Sequence, residues 1–261
     1  MTAYKEEAIC IRLNDWSESS QVVTFYSPNL GKFTALAKGS KRTSPSAVAR
    51  YSGGVELLTY GQACGALSKI GNMARLSEWD LQDAYYHFRK DLDAYYLGLY
   101  LLDLTNAMTA VDQPDPLIFQ GLKYALKNLS DKTKHWPLVL KYQHLIIQCC
   151  GYKPVFDRDI ITEQPLDDAP AYTFSAQGGG VTSQPIDETG WEGHPTHQRV
   201  LVQGHWRVRK ETITLLDNLP QISLTELSQH PSLRKANKLL CVYVRALLDK
   251  QLPTMRYILG Q

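Results

Sequence analysis

The hydrophobic period of this chain changes near Trp79. Before it, apolar residues alternate with polar ones in short runs closed by Gly, Pro or Asn; after it, they recur at helical spacing. A chain patterned this way folds as strands first and helices afterwards, which is the α+β class. Ile9, Ile11 and Leu13 alternate with Cys10 and Arg12, so the odd residues are expected to bury one strand face. A second strand, QVVTFY, ends at Ser27-Pro28-Asn29-Leu30-Gly31, where proline presets a turn and glycine tolerates positive φ. On the return strand Phe33, Ala35 and Ala37 point one way, and Lys32, Thr34, Leu36 and Lys38 the other. GVELLTY reads as a fourth strand and ALSKIGNMARL as a fifth, separated by a turn over Gly61 to Gly65. Five short strands predict a small barrel, because closure removes the unpaired edges of an open sheet.

Residues 83 to 110, with Tyr95, Leu99, Leu102 and Met108 near helical spacing, are expected to form one long helix. Asp112 to Pro116 break it. Asp115 is a candidate N-cap and Pro116 a first helical residue for a helix carrying Phe119, Leu122 and Leu126. A third helix runs from about Trp136 to Cys150 and stops at Gly151, with Pro154 close behind. Residues 152 to 198, rich in Pro, Gly, Asp and Thr, read as loops and short strands. RVLVQGHWRV and LRKANKLLCVYVRALLDKQL then read as helical; the second buries Leu233, Leu239, Leu240, Val244 and Leu247 and leaves Arg234, Lys235, Lys238, Arg245 and Lys250 outside. The expected organisation is a barrel over 1–78, a helical part over 79–152, an insert over 153–198 and a C-terminal helical part over 199–261.

No run of about eighteen apolar residues is available to span a bilayer, and the first residues lack the basic and apolar segments of an export signal. The expectation is a cytoplasmic protein. Five cysteines, none in CxxC spacing, read as reduced core thiols. The sequence has no GxxxxGKS/T loop, GxSxG elbow or HExxH motif, so the chain reads as a non-enzyme without cofactor. His194 and His197 form HxxH without further ligands at metal spacing and read as surface residues; His144, on an apolar helix, reads as a core histidine.

Charge is where the sequence is most specific. The chain has a formal net charge of +2, yet GKFTALAKGSKRTSPSAVAR, residues 31 to 50, holds Lys32, Lys38, Lys41, Arg42 and Arg50 with no acid. Cations on a strand face and on an adjoining adaptable loop suit a row of nucleic-acid phosphates, to which the loop's Ser and Thr hydroxyls can also donate. The competing reading is a solvated loop that keeps the protein soluble. The cluster lies between strands three and four of a barrel whose oligonucleotide-binding (OB) form uses the face of strands two and three. Arg207, Arg209, Lys210, Arg234, Lys235 and Lys238 form a weaker second set. Phe25 and Phe33 are expected in the core, Tyr26, Tyr51 and Tyr60 either packed or stacked on bases, and the tyrosines at 85, 86, 95, 96 and 100 in the core or a protein interface.

The stretch EAICIRLNDWSESSQVVTFYSPNLGKFTALAKGSKR, with Glu18-Ser19, Val22-Val23, Gly31-Lys32 and Ala37-Lys38-Gly39 in order and spacing, resembles the bacterial recombination mediator family RecO. GYKP at 151 to 154, the Gly-Gly before Val181 and the basic C-terminal helix extend the resemblance. It implies an N-terminal OB barrel and a helical domain interrupted by a zinc-finger-like insert. It further implies binding of single- and double-stranded DNA, strand annealing, and loading of RecA onto DNA coated by single-strand binding protein (SSB), together with RecR. This would place the chain at the nucleoid. Where many relatives carry two CxxC pairs, this chain has Asp159, Thr162, Thr182 and Pro185, so an insert without zinc is expected. Ser20-Gln21 also replaces a frequent Asp-Arg. The alternative is a protein-binding adaptor that uses barrel and helical groove without touching DNA.

Overall fold

The computed structural model describes residues 2–68, 73–183 and 205–260. The chain divides into two compact units, residues 1–135 and 136–261.

The first unit opens with β1 (Thr2–Ser17), β2 (Ser20–Ser27) and β3 (Gly31–Ala37), then α1 (Pro45–Tyr51), β4 (Tyr60–Leu67) and β5 (Met73–Asp83). The strands close into a barrel in the order β1-β2-β3-β5-β4, antiparallel except for the parallel pairing of β3 with β5. Its interior is aromatic. Phe25 lies between Phe33 at 5.5 Å and Trp79 at 5.1 Å, and Tyr4 meets Phe33 edge-on at 5.4 Å.

Strand β1 corrects the simple alternation expected of it. Between Cys10 and Arg12 it advances two residues while β2 advances one, which makes Ile11 the extra residue of a bulge. Ala8 and Cys10 therefore face the barrel interior before the bulge and Leu13 packs against it afterwards. Ile9 and Ile11 are buried as well, on the side where a later helix, α2 (Leu92–Met108), lies against β1. Both faces are covered there, and that is why three consecutive residues around Cys10 are apolar.

Strands four and five also differ from expectation. GVELLTY is irregular up to Tyr60, and β4 runs straight through Gly61 and Gly65, where a turn is expected. These glycines serve close approach rather than turning. A Cβ on Gly61 would lie 2.2 Å from the Asp80 carbonyl oxygen, and one on Gly65 would lie 2.0 Å from that of Arg75. The strand-to-helix switch comes at Asp83 rather than Trp79, and a short 3-10 turn, Tyr86–Arg89, precedes α2. The single helix expected over 83–110 is thus shorter, with Asp91 as its N-cap accepting from the Ala94 amide. Helix α3 (Pro116–Asn128) begins at the expected Asp115 cap and buries Phe119, Leu122 and Leu126.

The second unit contains all but the first residue of α4 (His135–Cys149), then β6 (Val155–Asp159), β7 (Ala171–Ser175), β8 (Gly180–Thr182), β9 (His205–Arg209), α5 (Lys210–Asp217), α6 (Leu224–Gln229), α7 (Leu233–Leu247) and α8 (Met255–Leu259). The strands form a four-stranded sheet in the order β6-β8-β7-β9. Residues expected to be helical near His205 are strand instead. Their Val208 pairs with Tyr172, and their Trp206 pairs with Phe174, so period-two burial against β7 overrides the weak helical pattern. Phe174 joins sheet to helices, stacked with Trp206 at 6.0 Å and edge-on to Tyr243 of α7 at 5.2 Å.

Asp159 ties the turns of this sheet together. One carboxylate oxygen accepts from the amides of Ile161 at 2.8 Å and Thr162 at 3.3 Å; the other accepts from the Thr182 hydroxyl at 2.9 Å and the Ser183 amide at 2.7 Å. Three of the four matched positions, Asp159, Thr162 and Thr182, thus meet at one buried carboxylate. Among the described residues no group of three or more His, Cys, Asp or Glu is placed to hold a metal. Pro185, His194 and His197 lie outside the described residues. Burial pushes the Asp159 pKa up, but the donors from Ser183, Ile161, Thr182 and Thr162 outweigh it and hold the carboxyl below its ordinary value.

Because folding lowers this pKa, the contribution of Asp159 is present above the ordinary carboxylate pKa and is lost as pH falls through the lower folded value. Asp159→Ala is expected to cost roughly 3 kcal/mol at pH 7, since several buried donors lose their acceptor. Urea unfolding should show that difference shrinking only in acid, and a metal chelator should leave the wild-type midpoint unchanged.

Candidate nucleic-acid interface

The turn after β3 is built by hydrogen bonds rather than left loose. Ser40 donates its amide to the Ala37 carbonyl and Arg42 to that of Gly39, while the Lys41 amide reaches Ser19 on the neighbouring hairpin. The Ser20 hydroxyl accepts from the Gly39 amide at 3.1 Å. Pro45 at the first helical position then starts α1, so most of the stretch read as an adaptable loop is ordered turn and helix. Tyr51, at the end of α1, is buried, and its hydroxyl lies 3.2 Å from the carbonyl oxygens of both Lys38 and Leu76. It fastens α1 to the seam where β3 meets β5.

On that seam lies a recess of about 260 Å³. It brings together Lys38, Arg42 and Arg50 with Arg75, a residue of β5, and with the hydroxyls of Ser44, Ser46 and Ser77. No carboxylate is among its lining residues. All four cations are solvent-exposed. The Arg50 guanidinium sits 5.7 Å from the Tyr51 ring centroid and donates to the Ser46 carbonyl at 3.3 Å. Burial raises the Tyr51 pKa, opposed by the positive charges of Arg50 and Arg75.

Two other cations of the cluster are committed elsewhere. Lys32 donates from its ammonium to the carbonyls of Asn106 at 2.6 Å and Thr109 at 2.5 Å, at the C-terminal end of α2. It is half-buried, and burial pulls its pKa below the ordinary lysine value. The Lys32 carbonyl in turn accepts from the Asp112 amide, and Gly31 beside it leaves no room for a Cβ, which would lie 2.5 Å from the Gln113 carbonyl. Lys32 therefore clamps the barrel to α2. Lys41 faces Asp15 in an ion pair at 3.0 Å.

Arg75 was not singled out by sequence reading. It alternates with the core residues Ala74 and Leu76, which marks it as outward-facing, but nothing local shows that β5 runs beside β3, with Arg75 opposite Leu36. Of the candidate stacking residues, Tyr26 and Tyr51 are buried, and Tyr60 lies under the Lys123 ammonium at 3.9 Å from its ring centroid. Tyr85 and Tyr100 are also core; Tyr86 is exposed, as are Tyr95 and Tyr96 on α2.

In the second unit Arg207 and Arg209 share the exposed face of β9, and Lys210 pairs with Asp168 at 2.5 Å. Lys235 and Lys238 project from the outer face of α7, whereas Arg234 lies 3.2 Å over the Trp136 ring. His144 of α4 is buried; desolvation, with Lys153 and Lys141 nearby, lowers its pKa to about 4.

Residues 1–85 match the family profile described as Recombination protein O N terminal, and residues 89–256 match Recombination protein O C terminal. The chain belongs to the RecO family. Relatives include proteins named DNA repair protein RecO in Syntrophus aciditrophicus, 26% identical over 68% of this chain and 67% of that one, and in Bacillus cereus strain B4264, 28% identical over 67% of each. The RecO boundary between residues 85 and 89 falls in the 3-10 turn after the barrel, just beyond β5. No helix among the described residues of this RecO chain is long and apolar enough to cross a membrane.

The two lysines of β3 and its turn should separate by stability. Lys32→Met, which leaves two helix-end carbonyls without their donor, is expected to lower unfolding free energy by about 1–3 kcal/mol. Lys38→Met, on the exposed rim, should change it by less than about 0.5 kcal/mol in the same urea titration.

Proposed function

We propose that this RecO-family chain is a DNA-binding recombination mediator in DNA repair, with the recess of Lys38, Arg42, Arg50 and Arg75 as its principal phosphate contact. The observation that carries the reading is this gathering of four exposed cations without a carboxylate, on a barrel of RecO N-terminal type. The strand order β1-β2-β3-β5-β4, with α1 between β3 and β4, supports assigning the barrel to the OB class, whose sheet face binds oligonucleotides. Arg207 and Arg209 on β9, and Lys235 and Lys238 on α7, are further exposed cations available to DNA. Lys32 and Lys41 are left out of the contact set because each already has a partner.

Binding of this kind needs no bond chemistry. Neutralising phosphates on one strand lowers its repulsion for a complementary strand, which favours annealing of single strands and tolerates duplex product. Work with RecR to load RecA onto SSB-coated DNA is the role that family membership supports.

A second reading, a protein-binding adaptor, has one observation behind it. A cavity of about 570 Å³ beside α2 combines the apolar Leu13, Leu57, Leu58, Phe88, Leu92 and Tyr95 with the charged Glu56, Arg89, Lys90 and Asp91, a size and mixed character suited to a short amphipathic peptide segment. The DNA affinity of the isolated chain separates the two readings.

If four cations engage single-stranded DNA, log K should fall with log salt at a slope of about −2.8, a loss of roughly fiftyfold between 50 and 200 mM. Fluorescence anisotropy of a labelled oligonucleotide measures this. A flat response would favour the adaptor. Joint Lys38→Glu, Arg42→Glu and Arg75→Glu substitution should weaken binding by more than about tenfold, equally for unrelated sequences, because phosphates carry no sequence information.

A further inference from the structure

The form of the basic site is a concave recess, not an open strip, and this bears on which phosphate it takes. Four cations from four places in the chain surround one space of about 260 Å³: Lys38 after β3, Arg42 in the following turn, Arg50 in α1 and Arg75 in β5. A phosphate track would spread such charges along successive diesters. Here they converge, and Ser44, Ser46 and Ser77 add hydroxyl donors to the same space.

An internal phosphodiester carries one negative charge, has two unesterified oxygens, and brings a sugar on either side, so it enters a recess only side-on. A terminal phosphate monoester carries about −1.5 to −2 charges at neutral pH, has three strong acceptor oxygens, and is attached on one side alone. Such a group enters end-on. The excess of donors over what one diester can use, and the absence of any lining carboxylate, match the monoester. The recess is smaller than the roughly 300–1,000 Å³ typical of pockets for drug-sized ligands, which suits a single anionic group with the strand leaving over the rim.

The turn is also braced for this task. The side chain of Arg42 folds across Gly39, where a Cβ would lie 3.5 Å from its Cδ, and Arg50 is held by the Ser46 carbonyl. The Tyr51 hydroxyl joins the carbonyls of Lys38 and Leu76 beneath them. A guanidinium that keeps its conformation on binding, as the Ser46 contact favours for Arg50, loses less freedom when it bonds a phosphate.

We propose that this recess is a seat for a terminal phosphate monoester, so that the protein recognises the phosphorylated end of a DNA strand. The proposal rests on the DNA-binding reading above and adds the class of phosphate that the site prefers.

The test compares short oligothymidylates of one length carrying a 5′-phosphate, a 3′-phosphate or hydroxyls at both ends, in anisotropy titrations with the full chain. At least one phosphorylated strand should bind about tenfold tighter than the hydroxyl-ended strand, the order of gain expected when charge-assisted hydrogen bonds to one group are added. Arg75→Gln and, separately, Arg50→Gln should each reduce that preference, with circular dichroism and the unfolding midpoint reporting whether each variant is folded. Inorganic phosphate added to the wild-type protein provides an arm that needs no variant. Equal binding of all three strands overturns the seat and leaves DNA binding intact. Binding of none of them removes the underlying reading as well. If inorganic phosphate, equimolar with the phosphorylated strand, abolishes its preference, the recess serves free phosphate and the strand-end assignment falls.

Discussion

Everything in the first unit depends on closing the barrel where β3 meets β5. The two strands run parallel, Ala35 opposite Ala74 and Ala37 opposite Leu76, and small residues on β3 let the sheet curl over its aromatic interior. On the other side of β5, Gly61 and Gly65 bring β4 so near that no side chain fits between them and the carbonyls of Asp80 and Arg75. Closure removes the exposed strand edges, and it does something further for function. It sets Arg75 beside a turn some thirty residues earlier in the chain, and the basic recess exists only because of that adjacency.

Within this frame the positive charge of one short segment is divided by geometry. Lys32 faces the carbonyls at the end of α2, a place where a cation satisfies acceptors that the helix itself leaves unpaired. Lys41 faces Asp15. Lys38, Arg42 and Arg50 face solvent around a shared space. The same residue types thus form a helix clamp, an ion pair and the rim of an open recess within about one hairpin's length of chain. What separates them is the identity of the group opposite each side chain, and no property of lysine or arginine alone predicts it.

The second unit solves a different problem. In small irregular sheets with short strands, turns can be fastened by a metal or a disulfide. Here a carboxylate performs the fastening. Asp159 accepts from both turns at once, while Phe174 connects the sheet to Tyr243 and so to α7. The cost of burying the charge is offset by four donors, two of them backbone amides within three residues of it.

Local chemistry was enough to place several features from the sequence. These include the period change that separates barrel from helices, the Asp115-Pro116 start of α3, the Gly151 stop of α4, the buried face of α7, and the outward direction of Lys38. Each depends on residues within a few positions of one another, where periodicity, capping and turn preference act directly. Other features were decided by tertiary structure alone: the bulge at Ile11, the passage of β4 through its glycines, β9 in place of a helix, and the arrival of Arg75 at the recess. All of these are set by a partner distant in the chain, since a glycine has the same sequence signature whether it turns or admits a neighbour. Residue order alone thus located the densest positive charge of this protein, whereas its shape as a recess came from strands that meet only when the barrel closes.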